Sequence, residues 1–401
     1  MDFIHNDSQR ELAALSRTIL TDRLTPERLR EVEAGGDRFD PGLWADLAGA
    51  GILAAALPEP LGGAGVGLLE ECSVLAEIGR AVAPVPYLAS AVLGAGAVAR
   101  FGTPGQQRRW AAPAGRGELV LTAALAEEDG DDPRAPAASA ERAADRWLLS
   151  GTKTAVPAGP RADLMLVPAT TAQGIIVFLV APTDPGVAIA PQQMTDGDAA
   201  GRLELAGVAL PDDRVLGSPP AGTEITDWLV SRGTVGLCAQ QFGVVERALE
   251  LTSAYAKSRM QFGRPIGSFQ AVAQRLADAF IDVEAVRLTM WQAAWRLSAG
   301  LPCETEVATA KFWAADAGHR VAHTAVHVHG GVGIDTDHPL HRYFVAAKRL
   351  EFALGGATTQ LRRIGAAMAR AAEPVTHDDL QRVSHVASDL ADPGVTRQAW
   401  S

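Results

Sequence analysis

The sequence predicts a mainly α-helical protein with a central β domain. Apolar residues recur at helical spacing in both outer parts of the 401-residue chain, whereas the part between them holds short runs of Val, Ile, Leu, Thr and Phe. We therefore expect an N-terminal helical domain (1–116), a middle β domain (117–217), a C-terminal four-helix bundle (218–371) and a C-terminal tail (372–401).

The N-terminal domain carries clear helix signals. Asp40 followed by Pro41 is an N-cap and first-turn pair, and it begins an apolar stripe at helical spacing. Further helices are expected at 68–80 and 87–101, with a short one from 102 to about 110. The glycine- and proline-rich turn at 58–65 is either a connector or one wall of a ligand pocket.

The middle domain consists of short apolar runs bounded by turn residues. Strands are expected at 118–126, 145–156, 163–169, 174–181 and 203–210. This spacing is typical of an antiparallel barrel or sandwich. The alanine-rich stretch 135–144 lacks the pattern, so we expect a surface excursion there.

The C-terminal domain shows four long amphipathic patterns, as many as an antiparallel bundle needs. They lie near 222–258, 267–298, 303–330 and 338–371. Several carry apolar residues around much of their circumference, which predicts subunit contacts as well as a core. The pattern is lost after residue 371, so the tail is expected to be extended or partly ordered.

Composition excludes several classes of function. A net charge of -11 argues against a nucleic-acid binder, and no apolar run is long enough to suggest a membrane span. With no signal-like N-terminus, we expect a cytoplasmic protein. The three cysteines are widely spaced and are expected in the core, without a disulfide. His323, His327 and His329 lack the accompanying carboxylate or cysteine of a metal site, so no metal is expected.

The most informative stretch is a corner at residues 258–270, where two long helical patterns meet at a break of sequence SRMQFGRPIGSFQ. It carries a cation at Arg259, an amide at Gln261 and an aromatic ring at Phe262. This combination suits the binding of a flat, phosphorylated ligand.

The helix–β–helix order, this corner, the turn at 58–65 and the HGGVG segment at 329–333 together resemble the acyl-CoA dehydrogenase family along nearly the whole chain. The resemblance implies FAD held between subunits of a dimer or dimer of dimers, and an acyl-CoA or acyl-carrier thioester against the flavin. In that family a glutamate removes the α-proton and the β-hydrogen leaves as hydride to the flavin, which gives the 2-enoyl thioester. An electron-transfer flavoprotein or oxygen then accepts the electrons.

The resemblance also implies which residues contact FAD. The corner would reach the diphosphate and adenine half across a subunit interface, and the HGG segment would pass close to the dinucleotide. His327 stands where the family commonly has glutamine. In the alternative interpretation, Arg259 is a solvated cation at a helix end and Phe262 is a side chain that fills space in the core. The implied cofactor-binding residues are Arg259, Gln261, Phe262, Gln270, His327, Gly330 and Gly331.

The catalytic glutamate of the family is missing from this sequence. Its usual position falls on Leu354, or on Gly355 after a one-residue shift, and the alternative position on the first bundle helix falls on or near Gly233. None of these can accept a proton. Glu351 lies one helical turn away on the same face and is the candidate displaced base; the alternative is a solvated or salt-bridged helix glutamate.

The flavin shelf of the β domain also departs from the family pattern. The segment 126–133 reads AEEDGDDP, an acidic run that would repel any diphosphate it faced. Ala155 and Pro157 stand where an aromatic and a hydroxyl residue commonly cover the isoalloxazine ring. We therefore expect this chain's own shelf to be weak.

A retained corner with a missing base is similar to the base-lacking subunits of heteromeric, steroid-type acyl-CoA dehydrogenases of actinobacteria, and so is the segment 77–88. Such a subunit would donate its corner to a partner's FAD. Two alternatives stay open. One is a repurposed FAD-dependent oxidase or monooxygenase, or a carrier-protein-linked dehydrogenase of secondary metabolism; the other is a flavin-free structural subunit.

Overall fold

The computed structural model describes residues 3–128, 130 and 132–371, apart from the side chains of residues 220 and 371. It confirms the predicted fold class, because helices flank a central β-sheet on both sides along the chain. The limits proposed for the domains stay predictions, and the predicted tail at 372–401 lies outside the described residues.

The N-terminal helices follow the predicted order. Asp40 caps its helix as expected, since its side chain accepts hydrogen bonds from the backbone N–H groups of Gly42 and Leu43. The helices are α1 (Asp7–Arg23), α2 (Pro26–Ala34), α3 (Pro41–Gly49), α4 (Leu68–Arg80), a π-helix (Leu88–Ala95) continued by α5 (Gly96–Phe101), α6 (Pro104–Gln106), a second π-helix (Gln107–Ala111) and α7 (Ala112–Gly115).

The middle of the chain forms one seven-stranded sheet in the order β1-β4-β2-β3-β7-β6, with β5 paired to β4. Two of its pairings, β1 with β4 and β2 with β4, are parallel, where only antiparallel pairs were expected. The strands are β1 (Leu121–Ala123), β2 (Ser139–Ala143), β3 (Arg146–Pro157), β4 (Leu164–Thr171), β5 (Gly174–Val180), β6 (Val187–Gln193) and β7 (Ala199–Pro211).

Two strands of this sheet were not predicted from the sequence. The alanine-rich stretch is not an excursion, because it contains β2, which pairs with β3 along its whole length. Ala140 is its one buried residue, so β2 carries no alternating pattern of large apolar side chains. The second missed strand, β6, lies at the edge of the sheet and is largely exposed, so it shows no pattern either.

The C-terminal bundle contains the predicted long helices, but the fourth pattern is broken. Leu354 and Gly355 adopt left-handed φ values of 55° and 97°, which no α-helix can continue through. The Gln360 side chain donates to both of their carbonyl oxygens. The bundle helices are α8 (Gly222–Ser258), α9 (Gln270–Ser298), α10 (Glu304–His329), α11 (Leu340–Phe352) and α12 (Ala357–Ala371).

Helices α4 and α8 join the N-terminal helices to the bundle at backbone contact. A Cβ at Gly79 would lie 2.0 Å from the Gln240 carbonyl oxygen, and one at Gly243 would lie 1.9 Å from the Ala76 carbonyl oxygen. Only glycine permits this approach. Among the residues that the structure describes, no helix combines the length and hydrophobicity that crossing a bilayer requires.

Candidate functional site

The corner between α8 and α9 is a tight β-hairpin. Strands β8 (Met260–Gln261) and β9 (Arg264–Pro265) pair across a turn whose two central residues, Phe262 and Gly263, have φ values of 51° and 77°. Holding a bulky L-residue in this left-handed region costs about 1–2 kcal/mol. The Phe262 side chain is nevertheless 92% exposed, so it is not a core plug. The hairpin thus presents an aromatic ring to solvent at the cost of backbone strain.

Three further corner residues leave the polar groups of their side chains available. Arg259, Gln261 and Gln270 are exposed, and none of their side chains hydrogen-bonds to another described residue. Phe269 packs against the hairpin. The centroids of the Phe269 and Phe262 rings lie 6.1 Å apart in an edge-on arrangement, and the Arg264 guanidinium lies 4.2 Å from the centroid of the Phe269 ring.

A ring stack brings the corner and the HGG segment to the same end of the bundle. Tyr255, in the last turn of α8, stacks at 4.3 Å on His329, the last residue of α10. The Nδ1 atom of His329 hydrogen-bonds to the Ala325 carbonyl at 2.8 Å. Burial lowers the pKa of His329, which keeps its ring neutral near pH 7. Beyond the stack, one chain segment continues to Arg259 and the other to Gly330.

An open groove of about 1080 Å³ runs from this end along α9 and α10. His327 lines it from α10, and Ala271, the neighbour of Gln270, lines it from α9. A Cβ atom at Gly330 or Gly331 would meet no described atom within 4 Å beyond those of the adjoining chain, so the backbone is open to close approach by a ligand. The sequence-predicted FAD residues therefore share one exposed region of the bundle.

The three histidines considered for a metal do not converge. His323 and His327 face the groove, whereas His329 turns inward to stack on Tyr255. Among the described residues no three His, Cys, Asp or Glu side chains form a cluster that could hold a metal ion.

A second site is a cavity of about 360 Å³ where the N-terminal helices, the β-sheet and the bundle meet. Gly233 and Leu354, two of the positions at which the family's base is expected, both line it. Ala155 and Pro157 line it from β3, where a bulge places Ala155 at a φ of 46°. The structure thus gathers the altered family positions into one mostly apolar chamber.

Glu351 does not line this cavity. Its carboxylate accepts a hydrogen bond of 2.5 Å from Lys348 Nζ and lies 3.3 Å from His319 Nδ1. The geometry supports the salt-bridged alternative, and the role of displaced base stays a prediction. The carboxylates that do line the cavity, Asp37 and Asp198, belong to ion pairs with arginines.

Within the acidic run beside the cavity, Glu127 is held in place by hydrogen bonds and an ion pair. This carboxylate accepts hydrogen bonds from the backbone N–H groups of Ala137 and Ala138 and pairs at 2.6 Å with Lys153, which is fully buried. Burial alone would raise the pKa of Glu127, but these three bonds outweigh it and hold the pKa below its usual value. The charge of Glu127 is therefore balanced by Lys153 within the fold.

Sequence analysis missed Lys311, a buried cation that fixes the turn carrying Leu354. Its Nζ donates to the carbonyl oxygens of Leu350 and Glu351, at 2.9 and 3.1 Å, near the end of α11. Burial lowers its pKa to about 8. The available signal was a lysine on the apolar face of α10, between Ala310 and Ala314.

Comparisons with known proteins agree with this architecture. Residues 6–118 match the acyl-CoA dehydrogenase N-terminal domain and residues 221–369 match the acyl-CoA dehydrogenase C-terminal domain. Acyl-CoA dehydrogenase FadE27 of Mycobacterium tuberculosis is 51% identical over 377 residues, which cover 92% of this chain and 99% of the relative.

Two solved structures resemble the chain closely. A chain of the ChsE4-ChsE5 complex from Mycobacterium tuberculosis is 52% identical, with a TM-score of 0.88 and coverage of 92% of this chain and 99% of that one. A chain of a variant of the Tcur3481-Tcur3483 steroid ACAD is 42% identical, with a TM-score of 0.85 and coverage of 90% and 98%. With both terminal domains matched and half of a full-length relative's residues identical, the chain belongs to the acyl-CoA dehydrogenase family.

Proposed function

We propose that this chain is the base-lacking subunit of a heteromeric acyl-CoA dehydrogenase that introduces an α,β double bond into an acyl-CoA thioester. The chain supplies the corner at 258–270 to an FAD whose reactive ring lies in the partner's cavity. The observation that carries the proposal is Phe262, a strained and 92% exposed aromatic ring that this chain itself leaves uncovered.

The groove and corner fit the adenosine diphosphate half of FAD. Arg259 offers a diphosphate a guanidinium fork that no described residue pairs with, and Phe262 offers a face for a flat ring. Gly330 and Gly331 let the backbone come close, and Gln261, Gln270 and His327 add exposed polar groups. FAD, when bound, supplies the hydride-accepting chemistry of the family.

This chain's own cavity fits the chemistry poorly. Gly233, Leu354 and Gly355 carry no group that can take a proton, and Glu351 is held by Lys348 outside the cavity. Ala155 and Pro157 provide no side-chain donor toward a ring. The α-proton is therefore removed in the partner's cavity, by a glutamate of the partner.

The relatives support a paired assembly. The ChsE4-ChsE5 and Tcur3481-Tcur3483 structures each contain two different chains, and the latter is described as a steroid ACAD. We extend a two-chain assembly to this protein. Three free cysteines fit a reducing compartment, so we expect it to act in the cytoplasm.

The experiment compares this chain alone, a glutamate-bearing partner chain alone, and their mixture. We expect the mixture to co-purify with stoichiometric FAD, and its flavin absorbance to bleach with acyl-CoA under argon. The chain alone should hold little FAD. Stoichiometric FAD and ordinary acyl-CoA oxidation by the chain alone would contradict the proposal.

The same samples separate the alternatives. Oxygen consumption with a chemical reductant, without bleaching by acyl-CoA, would indicate an oxidase or monooxygenase. A colourless mixture that assembles fully would indicate a structural subunit.

A further inference from the structure

One end of the 360 Å³ cavity carries a buried cation that its protein surroundings do not satisfy. Arg38 lines the cavity and is 8% exposed. Of its five N–H donors, Nη2 donates to the Val82 carbonyl at 2.7 Å. The Nε atom is buried and makes no hydrogen bond with any residue that the structure describes. Leaving a buried donor without an acceptor costs about 1–3 kcal/mol.

The nearest carboxylates do not accept hydrogen bonds from the other donors of Arg38. Arg38 Nη1 lies 3.9 Å from Asp196 and 3.8 Å from Asp198, beyond hydrogen-bond reach. Asp196 is engaged instead by Arg349, whose Nε lies 2.6 Å away. Because Nη1 makes no hydrogen bond with any described residue and is not among the fully buried atoms, it is the donor that stays free at the wall of the cavity.

The backbone around Arg38 is strained in a way that holds it there. Arg38 and Val82, which its side chain bonds, both have a φ of 43°. For a β-branched residue such as valine this is an outlier that costs of order 1–3 kcal/mol. Two strained residues joined by one hydrogen bond fix the guanidinium at the cavity.

The charges around the cavity argue against an anionic ligand. In charge, though not always in hydrogen bonding, each described cation that lines it is balanced by a carboxylate within 4 Å, so these residues leave no net positive charge to neutralise a phosphate or a carboxylate. The pairs are Arg38 with Asp198, Arg161 with Asp37, Lys348 with Glu351 and Arg349 with Asp196.

The rest of the cavity wall is largely apolar. The apolar side chains include those of Phe39, Val85, Leu88, Leu93, Leu237 and Leu354. A volume of about 360 Å³ lies within the range of small-molecule pockets. The chamber fits a bulky apolar molecule that carries one hydrogen-bond acceptor.

We propose that this cavity is a non-catalytic binding site for a bulky, uncharged, apolar molecule with one carbonyl or hydroxyl oxygen, and that Arg38 donates the hydrogen bond to that oxygen. The site does not depend on flavin, an inference that rests on the proposed function, because that function places the reactive flavin ring in the partner's cavity. Its occupation places a second ligand in the assembly beside the acyl-CoA that reacts.

The test uses an isosteric pair of probes, 2-adamantanone and 2-methyleneadamantane, titrated into the full-length chain and followed by ligand-observed NMR. The ratio of their dissociation constants measures preference for the oxygen. Arg38→Met should lower the preference for the ketone about 10-fold or more, because a hydrogen bond to a charged donor is lost. Arg161→Met, on the same wall but paired with Asp37, should preserve it.

An unchanged ratio in Arg38→Met, or failure of the wild-type chain to bind the ketone, would overturn the inference. If Arg38→Met does not fold, the wild-type protein still decides the matter through the infrared stretch of carbonyl-labelled 2-adamantanone. A bound stretch below its value in alkane supports the hydrogen bond, and a stretch equal to that in alkane overturns it. Neither readout involves FAD, so its failure is distinct from failure of the proposed function.

Discussion

Leu354 Cδ1 lies 3.1 Å from the point that a Cβ atom at Gly233 would occupy. The two residues stand at two positions from which the family's catalytic glutamate is expected, and here they pack on each other. An aliphatic side chain thus occupies the space in which the family's glutamate is expected.

Gly233→Ala tests this contact. Alanine gains about 1 kcal/mol of helix propensity over glycine inside α8, but its methyl group must displace Leu354. We expect a change in unfolding free energy within about 0.5 kcal/mol in the wild type. In a Leu354→Ala background we expect the full gain of about 1 kcal/mol.

Urea denaturation of the four proteins in this double-mutant cycle measures the coupling, and strict additivity would show that the contact does not exist. Gly243→Ala is the control for a glycine at which the added methyl group has no room. Its Cβ would lie 1.9 Å from the Ala76 carbonyl oxygen, so it should be strongly destabilising.

Glu351→Gln distinguishes the displaced base from a structural ion pair. Because the carboxylate is held by Lys348 and His319 outside the cavity, we expect the assembled enzyme to keep its turnover within about twofold. Steady-state assays of the complex with acyl-CoA check this. A loss of about 100-fold or more would restore Glu351 as the base.

Phe262→Gly separates stability from cofactor retention. Glycine relieves the left-handed strain, so the variant chain should unfold at the same or higher urea concentration, with a gain of up to about 1 kcal/mol. The complex made with it should nevertheless release FAD more readily, as measured by flavin absorbance after gel filtration. Full FAD retention by the variant complex would show that the ring has no part in the site.

Glu71→Gln tests a carboxyl group that is buried in α4. Burial raises the pKa of Glu71 to about 7, although Arg232 lies 3.2 Å away. Between about pH 4.5 and 7 the folded chain holds a proton that the unfolded chain releases, so this group's contribution to stability falls as pH rises through that window.

Relative to the glutamine variant, the wild type should therefore lose up to about 3 kcal/mol of stability between pH 5 and pH 8. Urea titrations of both proteins at the two pH values measure it, and other titrating groups cancel in the difference. A difference that does not change with pH would refute the raised pKa.

The sequence was sufficient for features with a strong local signal. Helical periodicity predicted the bundle, and the break between two helical patterns at 258–270 predicted a corner, which proved to be a hairpin with Phe262 and Gly263 both left-handed. The absence of a glutamate at residues 233, 354 and 355 could also be seen in the sequence alone.

Features that depend on distant partners could not be predicted. Strand β2 exists because β3 and β4 offer it backbone partners, although its own residues are mostly alanine and charged. Arg38 and Val82 meet across 44 residues, and neither has the glycine identity that announces a left-handed backbone. The break after α11 likewise falls partly on a leucine, which is normally a strong helix former.

Arg259→Met in this subunit alone tests whether this chain completes a partner's flavin site. The matched control is Lys257→Met, which removes an equal charge from the last turn of α8. With wild-type partner, both variants should form complexes of normal subunit ratio. We expect the dissociation constant of FAD to rise about 10-fold or more in the complex with Arg259→Met and to stay unchanged in the complex with Lys257→Met. Equal, undiminished FAD affinity in both complexes would contradict it.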